Sequence, residues 1–415
     1  MAGRLLFVTE RFAPDIGGVA RSSARIAAAL AAGRGPEASA AAAGDVDGGD
    51  GGDSGDLGDS GGWDVDVLAW TRTLAPGAMT SERVTLPTGS ITLHRLGLFG
   101  SWDSSMQHTL NVLDWLHQRA HYRAVWGHYV FPAGFMAVWF AALHGLASIV
   151  SARGNDIDRL MFPPGDFARL RWTLERAQVV TAVSRDLARK IDLLLGQPGR
   201  AVAIPNAVDG DVFSPGEPEV ALREALGIQA DECVLGFSGE LRHKKGTPFL
   251  LAALSEVRRQ RPACLLIIGA VRARDEAQLA SYRAANPDDA ARIIITGHLD
   301  DPAEVCRYLR LCDLLLMPSL WDGMPNAVLE AMACERVVLA SDAGGIPEMI
   351  RAGQDGYLVP RANLHRLGQA ALELLALPSA ERRALGAAAR ARVLDGFAPA
   401  RERAALADII GQLDV

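Results

Sequence analysis

The stretch LLLMPSLWDGMPNAVLEAMACERVVLAS, residues 314–341, carries the pattern that indicates the fold class. Two short apolar runs, at 314–318 and 337–341, lie on either side of a helical segment. That helix is expected to begin near Pro325, because proline suits the first helical position. Short apolar runs that are bounded by turns and separated by helices are typical of parallel strands buried on both faces of a sheet. The stretch therefore predicts a strand–helix–strand unit.

The same pattern recurs in both halves of the chain. Short apolar runs are predicted as strands at residues 5–9, 65–69, 124–126, 147–151, 179–182, 201–204, 234–238, 265–269, 293–296, 314–318, 337–341 and 357–359. Helical segments separate most of these runs. Two such series predict an α/β protein with two doubly wound, Rossmann-like domains, each built on a parallel sheet.

A segment rich in proline, glycine and aspartate separates the two series. This segment, IPNAVDGDVFSPGEP at residues 204–218, is predicted to be a linker. We predict an N-terminal domain over 1–208, a C-terminal domain over 209–394, and a last helix over 395–415 that packs back on the N-terminal domain. Residues 33–62 carry few apolar side chains beyond alanine and are predicted to be a disordered insertion.

Composition and charge exclude several classes of protein. The chain has 415 residues, of which 49% are hydrophobic and 22% charged, as in soluble globular proteins with large cores. A formal net charge of −7 argues against a nucleic-acid binder. Five cysteines without a CxxC pair argue against a disulfide scaffold and against a cysteine-rich zinc site. We therefore expect a cytoplasmic protein, with the inner face of the membrane as a candidate peripheral contact.

Two segments bear on membrane association. Residues 129–151 contain no Asp, Glu, Lys or Arg and are long enough for a spanning helix. Pro132, Gly134 and Gly145 interrupt this run, which favours a buried helix over about 133–143 followed by a strand. The segment FARLRWTLER, 167–176, suits either a membrane surface or an amphipathic helix packed inward, and inward packing is favoured.

The turn after residue 318 carries groups suited to a nucleotide. Asp322, Asn326 and Glu330 are spaced i, i+4, i+8, so Asn326 and Glu330 share a helix face below Asp322. Amides at a strand-to-helix turn suit an anion. Glu330 could accept hydrogen bonds from vicinal hydroxyls, as an acidic residue does for ribose in dinucleotide folds. An ordinary helix start with a capping aspartate and a surface glutamate explains the same residues equally well.

Two further turns are candidate anion sites. GELRHKKG, 239–246, places Arg242, Lys244 and Lys245 beside the start of a helix, where phosphate is the natural ligand. A solvated basic turn is the alternative interpretation. Near the N-terminus, Gly17 and Gly18 would let the backbone approach a ligand closely. They do not form GxGxxG, so a nicotinamide dinucleotide is disfavoured.

Taken together, these segments resemble the GT-B glycosyltransferases of family 4, the group 1 retaining enzymes, over nearly the whole chain except the insertion. Residues 322–330, with GGIPE at 344–348, look like the family's E-x7-E motif, and 239–246 looks like its diphosphate-binding loop. IPNAVD (204–209) and VTAVSRDL (180–187) look like two more family segments. Two positions depart from the family. Asp322 replaces the first glutamate, and Glu240 stands where the family has its diphosphate arginine, which leaves Arg242 as a candidate for the missing cation.

The resemblance implies two domains facing a cleft, with a nucleotide-diphospho-sugar donor mainly on the C-terminal domain and an unidentified acceptor mainly on the N-terminal domain. Glu330 would hold the ribose, Lys245 would neutralise the leaving diphosphate, and Asp322 would hold donor-sugar hydroxyls. His128, in WGHYVFPAG, would reach the donor sugar near its anomeric carbon. The remaining donor-binding candidates are Gly17, Gly18, Glu240, Arg242, Gly323, Met324 and Asn326. The candidates for the cleft or the acceptor are Arg153, Asn155 and Asp156.

We predict no metal and no cofactor besides the donor substrate. DxD sequences at 64–66 and 156–158 arise readily by chance in an acidic chain, and no glutamate completes a zincin motif beside His117 and His121. Two other functions remain open: a nucleotide-sugar epimerase or hydrolase with the same fold, and a non-catalytic scaffold. The sequence leaves the base, the sugar, the acceptor and the oligomeric state undetermined.

Overall fold

The computed structural model describes residues 3–15, 17–32, 63–86, 89–160 and 163–413, so the predicted insertion at 33–62 lies outside the described residues. The chain divides into two units. One comprises Met1–Ile204 together with Ala400–Val415, and the other comprises Pro205–Pro399. The boundary after Ile204 falls at the start of the predicted linker.

The N-terminal unit is built on an eight-stranded sheet. Its strands are β1 (Arg4–Thr9), β2 (Asp64–Thr71), β3 (Met79–Leu86), β4 (Gly89–Gly97), β5 (Ala124–His128), β6 (Ala147–Ala152), β7 (Val179–Ala182) and β8 (Ala201–Ala203). Their order is β3-β4-β2-β1-β5-β6-β7-β8. The helices of this part of the chain are α1 (Gly18–Ala32), α2 (Trp102–Ala120), α3 (Phe135–His144), α4 (Asn155–Leu160), α5 (Pro164–Arg176) and α6 (Arg185–Leu195).

The C-terminal unit is built on a six-stranded sheet in the order β11-β10-β9-β12-β13-β14, and every pair of neighbours is parallel. Its strands are β9 (Cys233–Ser238), β10 (Ala263–Ile268), β11 (Ile293–Ile295), β12 (Leu314–Met317), β13 (Val337–Ser341) and β14 (Tyr357–Val359). Its helices are α7 (Val220–Ala225), α8 (Thr247–Arg258), α9 (Glu276–Ala285), α10 (Pro287–Ala290), α11 (Pro302–Arg310), α12 (Asn326–Ala333), α13 (Ile346–Met349), α14 (Leu367–Ala376) and α15 (Ser379–Gly396). The last helix of the chain, α16 (Pro399–Gly411), follows.

The predicted strands are all present, and two further strands, β3 and β4, were not predicted. Strand β3 pairs antiparallel with β4 at the edge of the first sheet. The prediction of a wholly parallel sheet was therefore wrong for this unit, whose sheet is mixed. Most residues of β3 are exposed, so this strand lacks the continuous apolar run that marks a strand buried on both faces.

Helix α16 packs into the N-terminal unit. Leu406 and Ile409 lie in the same core as Leu5 of β1. Arg25 of α1 also donates to both carboxylate oxygens of Glu402, at 2.6 and 2.9 Å. Because Glu402 is only 5% exposed, this pair anchors the end of the chain to α1.

The uncharged run at 129–151 forms a π-helical turn, a helix and a strand. Helix α3 ends at Gly145, which has a left-handed conformation, and β6 follows. No helix in the described part of the chain is both long and apolar enough to cross a membrane. In the basic segment at 167–176, α5 buries Leu170 and Leu174, and Trp172 contacts Phe135 of α3 with ring centroids 5.4 Å apart.

Candidate active site

The loops that follow three neighbouring strands of the C-terminal unit carry most of the candidate residues. Strands β10, β9 and β12 lie side by side and parallel, so their carboxyl ends meet at one edge of the sheet. In open α/β sheets, ligands bind at this edge. The loop after β9 contains residues 239–246, and the loop after β12 contains residues 318–325.

The backbones of these two loops are locked together. The amide of Leu320 donates to the carbonyl of Lys244 at 2.8 Å. Gly246 has φ +74°, and a Cβ added there would lie 1.9 Å from the carbonyl oxygen of Pro318. Only glycine therefore allows this approach, which brings the basic loop against the loop of Asp322.

The close approach forms a buried ion pair. Lys245 Nζ lies 2.5 Å from Asp322 Oδ2, and Lys244 Nζ lies 3.8 Å from Asp322 Oδ1. Burial alone would raise the pKa of Asp322, but the charges of Lys245 and Lys244 lower it to about 2. The carboxylate is thus ionised at neutral pH. It also accepts a hydrogen bond from the Gly323 amide at 3.1 Å, which ties this amide to the turn, and donor binding by Gly323 stays a prediction.

The GGIPE segment supports the same turn. Gly344 has φ +53°, and a Cβ there would lie 1.7 Å from the carbonyl oxygen of Asp322. The Gly345 amide donates to the Gly323 carbonyl at 2.8 Å. On the other side, Asn206 of the linker donates from Nδ2 to the Met324 carbonyl at 2.8 Å. The linker and the glycine pair together hold the turn at 322–324 in place.

Three buried polar atoms lie close in sequence to this ion pair, in the loop after β12 and at the starts of α8 and α12. Thr247 Oγ1, Ser319 Oγ and Asn326 Oδ1 make no hydrogen bond to any other described residue. A buried polar atom of this kind costs about 1–3 kcal/mol, so such atoms usually face a water or a ligand. Glu330 is 5% exposed, so it is not the surface glutamate of the simpler interpretation. It lies on α12 with Asn326, as the spacing predicted.

A second charged group lies on the same edge. Glu240, which stands at the position of the family's diphosphate arginine, pairs with Arg242 at 3.6 Å and with Arg272 at 3.5 Å. Arg272 was not among the residues predicted from the sequence. This residue follows β10, and only the strand order β10-β9-β12 brings it beside the loop after β9. A search of every loop after a strand for basic residues would have marked it as a candidate.

In the N-terminal unit, His128 ends β5 and is completely buried. Its ring stacks on Phe7, and Nε2 lies 2.9 Å from Ser22 Oγ. The Ser22 hydroxyl donates to the Val19 carbonyl at 3.0 Å, so this network assigns the proton to Nε2 and leaves Nδ1 as an acceptor. Nδ1 makes no hydrogen bond within the described chain. Burial, and then the charge of Arg153, keep the pKa of His128 well below its ordinary value, so the ring is neutral.

The loop after β6 contains the predicted acceptor residues. The Asp156 carboxylate is fully buried and accepts hydrogen bonds from the amides of Val130, Arg153 and Gly154 at 2.7–3.0 Å. Burial raises the pKa of Asp156, and these hydrogen bonds oppose the rise. The Asp156 carboxylate thus holds the backbone of this loop, and a contact between Asp156 and an acceptor stays a prediction. Burial and the charge of Arg25 lower the pKa of Arg153 to about 10, which leaves its guanidinium charged at neutral pH.

The remaining candidates lie at helix starts. Gly17 has φ +126°, and Gly18 is the exposed first residue of α1, with open space where a Cβ would be. Asn155 is half-buried and begins α4. The structure thus brings the candidates of the C-terminal unit together around Lys245, Asp322 and Glu240. It places those of the N-terminal unit at the ends of β5 and β6 and at the start of α1. Among the described residues, no group of three or more His, Cys, Asp or Glu could hold a metal ion.

Two family models match the chain, one on each side of the linker. The model described as "Glycosyl transferase 4-like domain" matches residues 17–207. The model described as "Glycosyl transferases group 1" matches residues 232–377. Between them the two matches include the turns at Gly17, Lys245 and Asp322.

Curated relatives match parts of the chain. A D-inositol 3-phosphate glycosyltransferase of Segniliparus rotundus is 30% identical over 46% of this chain and 42% of its own length. An alpha-maltose-1-phosphate synthase of Mycolicibacterium smegmatis is 30% identical over 55% of this chain and 61% of its own length. An N-acetyl-alpha-D-glucosaminyl L-malate synthase of Bacillus anthracis is 26% identical over 65% of this chain and 69% of its own length. The chain thus spans only about half the length of the first two of these relatives.

Solved structures match the fold of nearly the whole chain. Anabaena HepE in complex with UDP and glucose has a TM-score of 0.75 at 16% identity, covering 99% of this chain and 100% of that chain. A sucrose-phosphate synthase from Thermosynechococcus elongatus has a TM-score of 0.73 at 18% identity, covering 99% of this chain and 98% of that chain. At sequence identities this low, structural similarity shows a shared fold and nothing more. The predicted fold class is thereby confirmed.

Proposed function

Because the chain belongs to the group 1 glycosyltransferases, we propose that it transfers a sugar from a nucleotide-diphospho-sugar to an acceptor, with retention of the anomeric configuration. The observation that carries the proposal is the buried Lys245–Asp322 pair at the start of α8, with the pair's nitrogen and oxygen 2.5 Å apart. A cation, a helix N-terminus and buried hydroxyls at one strand end suit a diphosphate. The UDP-bound HepE structure supports the same ligand class for this fold.

Each residue of the C-terminal unit has a chemical role in this proposal. Departure of a nucleoside diphosphate leaves a sugar with oxocarbenium character and builds negative charge on the phosphates. Lys245 and the first amides of α8 would stabilise that charge, each group contributing about 2–4 kcal/mol. Asp322 would accept hydrogen bonds from donor-sugar hydroxyls, and the buried Glu330 would accept those of the ribose.

The residues of the N-terminal unit would act on hydroxyls and on the acceptor. The neutral His128 offers Nδ1 as an acceptor for a sugar hydroxyl. The names of the relatives specify acceptors or products that carry a phosphate or a carboxylate, among them inositol 3-phosphate and L-malate. The charged Arg153 would suit such an anionic acceptor.

We also propose that the reaction needs no metal ion. Lys244 and Lys245 supply the positive charge that a divalent cation supplies in other phosphate sites. Both carboxylates of the DxD sequence at 156–158 have other partners and are not arranged as metal ligands. The Asp156 carboxylate accepts hydrogen bonds from backbone amides, and Asp158 pairs with Lys190 at 3.3 Å.

A thermal-shift experiment tests the proposal. The purified chain is melted with UDP, GDP or ADP, with and without excess EDTA, beside Glu330→Gln. A ligand at 100 times its Kd should add about 2.7 kcal/mol to the free energy of unfolding. We expect one nucleotide to raise the Tm, with no effect of EDTA, and the rise to be lost in Glu330→Gln. Glu373→Gln is the matched control, because Glu373 is exposed on α14. A chain that responds to no nucleotide overturns the proposal, and a shift abolished by EDTA overturns metal independence.

The comparisons give no support to the epimerase, hydrolase or scaffold alternatives. Incubation of the chain with the matching nucleotide-sugar and no acceptor separates them, since an epimerase or hydrolase would consume the donor. The cytoplasmic location and the peripheral membrane contact remain predictions. Flotation of the chain with anionic phospholipid vesicles tests the contact.

A further inference from the structure

A ladder of charges runs along the edge of the C-terminal sheet. Lys244 and Lys245 pair with Asp322, and Glu240 lies between Arg242 and Arg272. The two Glu240 pairs are 3.6 and 3.5 Å long, beyond the usual range for a hydrogen bond of this type. The Glu240 side chain is also 43% exposed. Glu240 is therefore held by two long ion pairs and stays accessible to solvent.

The backbone holds Arg272 firmly beside the basic loop. The Leu241 amide donates to the Ala270 carbonyl at 2.9 Å, and the Arg272 amide donates to the Leu241 carbonyl at 3.1 Å. Gly269 has φ +146°, and a Cβ there would lie 2.2 Å from the Gly239 carbonyl oxygen. The loops after β9 and β10 thus form one packed element, and both arginines reach the same carboxylate from it.

The balance of charge along this edge favours an anion. Five cations, Arg242, Lys244, Lys245, Arg272 and Arg274, pair with three carboxylates, Glu240, Asp275 and Asp322, in a chain whose net charge is −7. Arg242 connects the two ends of the ladder. Burial raises the pKa of Asp322, the charges of Lys245 and Lys244 lower it, and the charge of Arg242 lowers it further. Guanidinium groups match phosphate oxygens in a bidentate geometry that lysine cannot provide.

We infer that Arg272 is a further donor-binding residue, which together with Arg242 holds the diphosphate of the donor, while Glu240 is the counter-ion that the phosphates displace. This inference rests on the proposed function. Its consequence is a pair of opposite effects. Loss of the Arg272 charge weakens binding of a nucleoside diphosphate, whereas loss of the Glu240 charge removes a competitor for the two arginines and strengthens it.

Titration calorimetry on the full chain tests this inference with UDP, GDP and ADP and with the corresponding monophosphates. We expect Arg272→Ala to weaken diphosphate binding about tenfold and monophosphate binding less than twofold, as for one lost charge-assisted contact. We expect Arg272→Lys to fall between Arg272→Ala and the wild type, and Glu240→Gln to tighten diphosphate binding. The matched control is Arg274→Ala, because Arg274 is on the same loop with a side chain that is 73% exposed.

The outcomes separate this inference from the proposed function. If the wild type binds no nucleoside diphosphate, both fail. If the wild type binds one and Lys245→Ala weakens it, but Arg272→Ala behaves like Arg274→Ala, only the inference about Arg272 is overturned. Equal weakening of diphosphate and monophosphate binding by Arg272→Ala also overturns it, because a loss of local structure has that effect. The Tm of each variant shows whether the fold is intact.

Discussion

The buried pair between Lys245 and Asp322 makes a measurable prediction for Asp322→Asn. The substitution keeps the size of the side chain and removes its charge. Two lysines then lose their counter-ion: Lys245, with Nζ 2.5 Å from the carboxylate, and Lys244, with Nζ 3.8 Å from it. The side chains of Lys244, Lys245 and Asp322 are only 10–12% exposed, so little water compensates for the loss. We expect the ligand-free C-terminal unit to lose stability at neutral pH, while a nucleoside diphosphate recovers part of the loss by pairing with the freed lysines.

The size of this loss follows from the pKa of Asp322. The folded chain lowers that pKa from 3.8 to about 2. At 1.36 kcal/mol for each pKa unit, the ionised carboxylate adds about 2 kcal/mol to the free energy of unfolding. Because the folded pKa is the lower one, this contribution is complete above pH 4 and is lost as the pH falls towards 2. The difference between the wild type and Asp322→Asn should therefore be about 2 kcal/mol at pH 7 and shrink below pH 4.

Urea unfolding at pH 7 and at pH 3 measures this difference. Asp300→Asn is the control, since the Asp300 side chain is 88% exposed and a surface substitution should change the free energy of unfolding by less than about 0.5 kcal/mol. If Asp322→Asn is as stable as this control at pH 7, the pair does not hold the two loops together and the reasoning fails. A loss that is the same at both pH values would show a packing effect in place of a charge effect.

Three further predictions concern other parts of the chain. Gly344→Ala should lower the free energy of unfolding by about 3 kcal/mol in urea melts, because it combines a left-handed φ with a Cβ 1.7 Å from a carbonyl oxygen. Gly297→Ala is the control, since Gly297 has the same sign of φ but open space around it, and it should cost about 1 kcal/mol. Equal losses would contradict the close contact at Gly344. Glu402→Gln should cost about 3 kcal/mol by breaking the buried pair with Arg25, and a thermal melt of the N-terminal unit that is unchanged would contradict that role. The imidazole signals of His128 in NMR spectra should not titrate between pH 5.5 and 8, because burial and Arg153 keep its pKa low, and a midpoint in that range would refute the neutral ring.

The strands of both sheets could be predicted because their information is local. A strand buried on both faces needs a continuous apolar run, and residues 314–317 and 337–341 show such runs directly. The edge strand β3 was missed for the same reason, since its exposed faces tolerate polar residues such as Glu82 and Arg83. Arg272 was missed because the order in which strands pair is not a local property.

The fold class and the candidates Lys245, Asp322 and Glu330 could be predicted from the sequence, because glycine turns, helix starts and apolar runs depend on residues close together in the chain. The protonation states and the burial of the site residues could not be predicted in this way. The low pKa of Asp322, the neutral ring of His128 and the burial of the Asp156 carboxylate each depend on burial and on charges or amides brought from elsewhere in the chain. Electrostatic energies depend on distance through space, and the spacing of residues along a chain does not specify that distance.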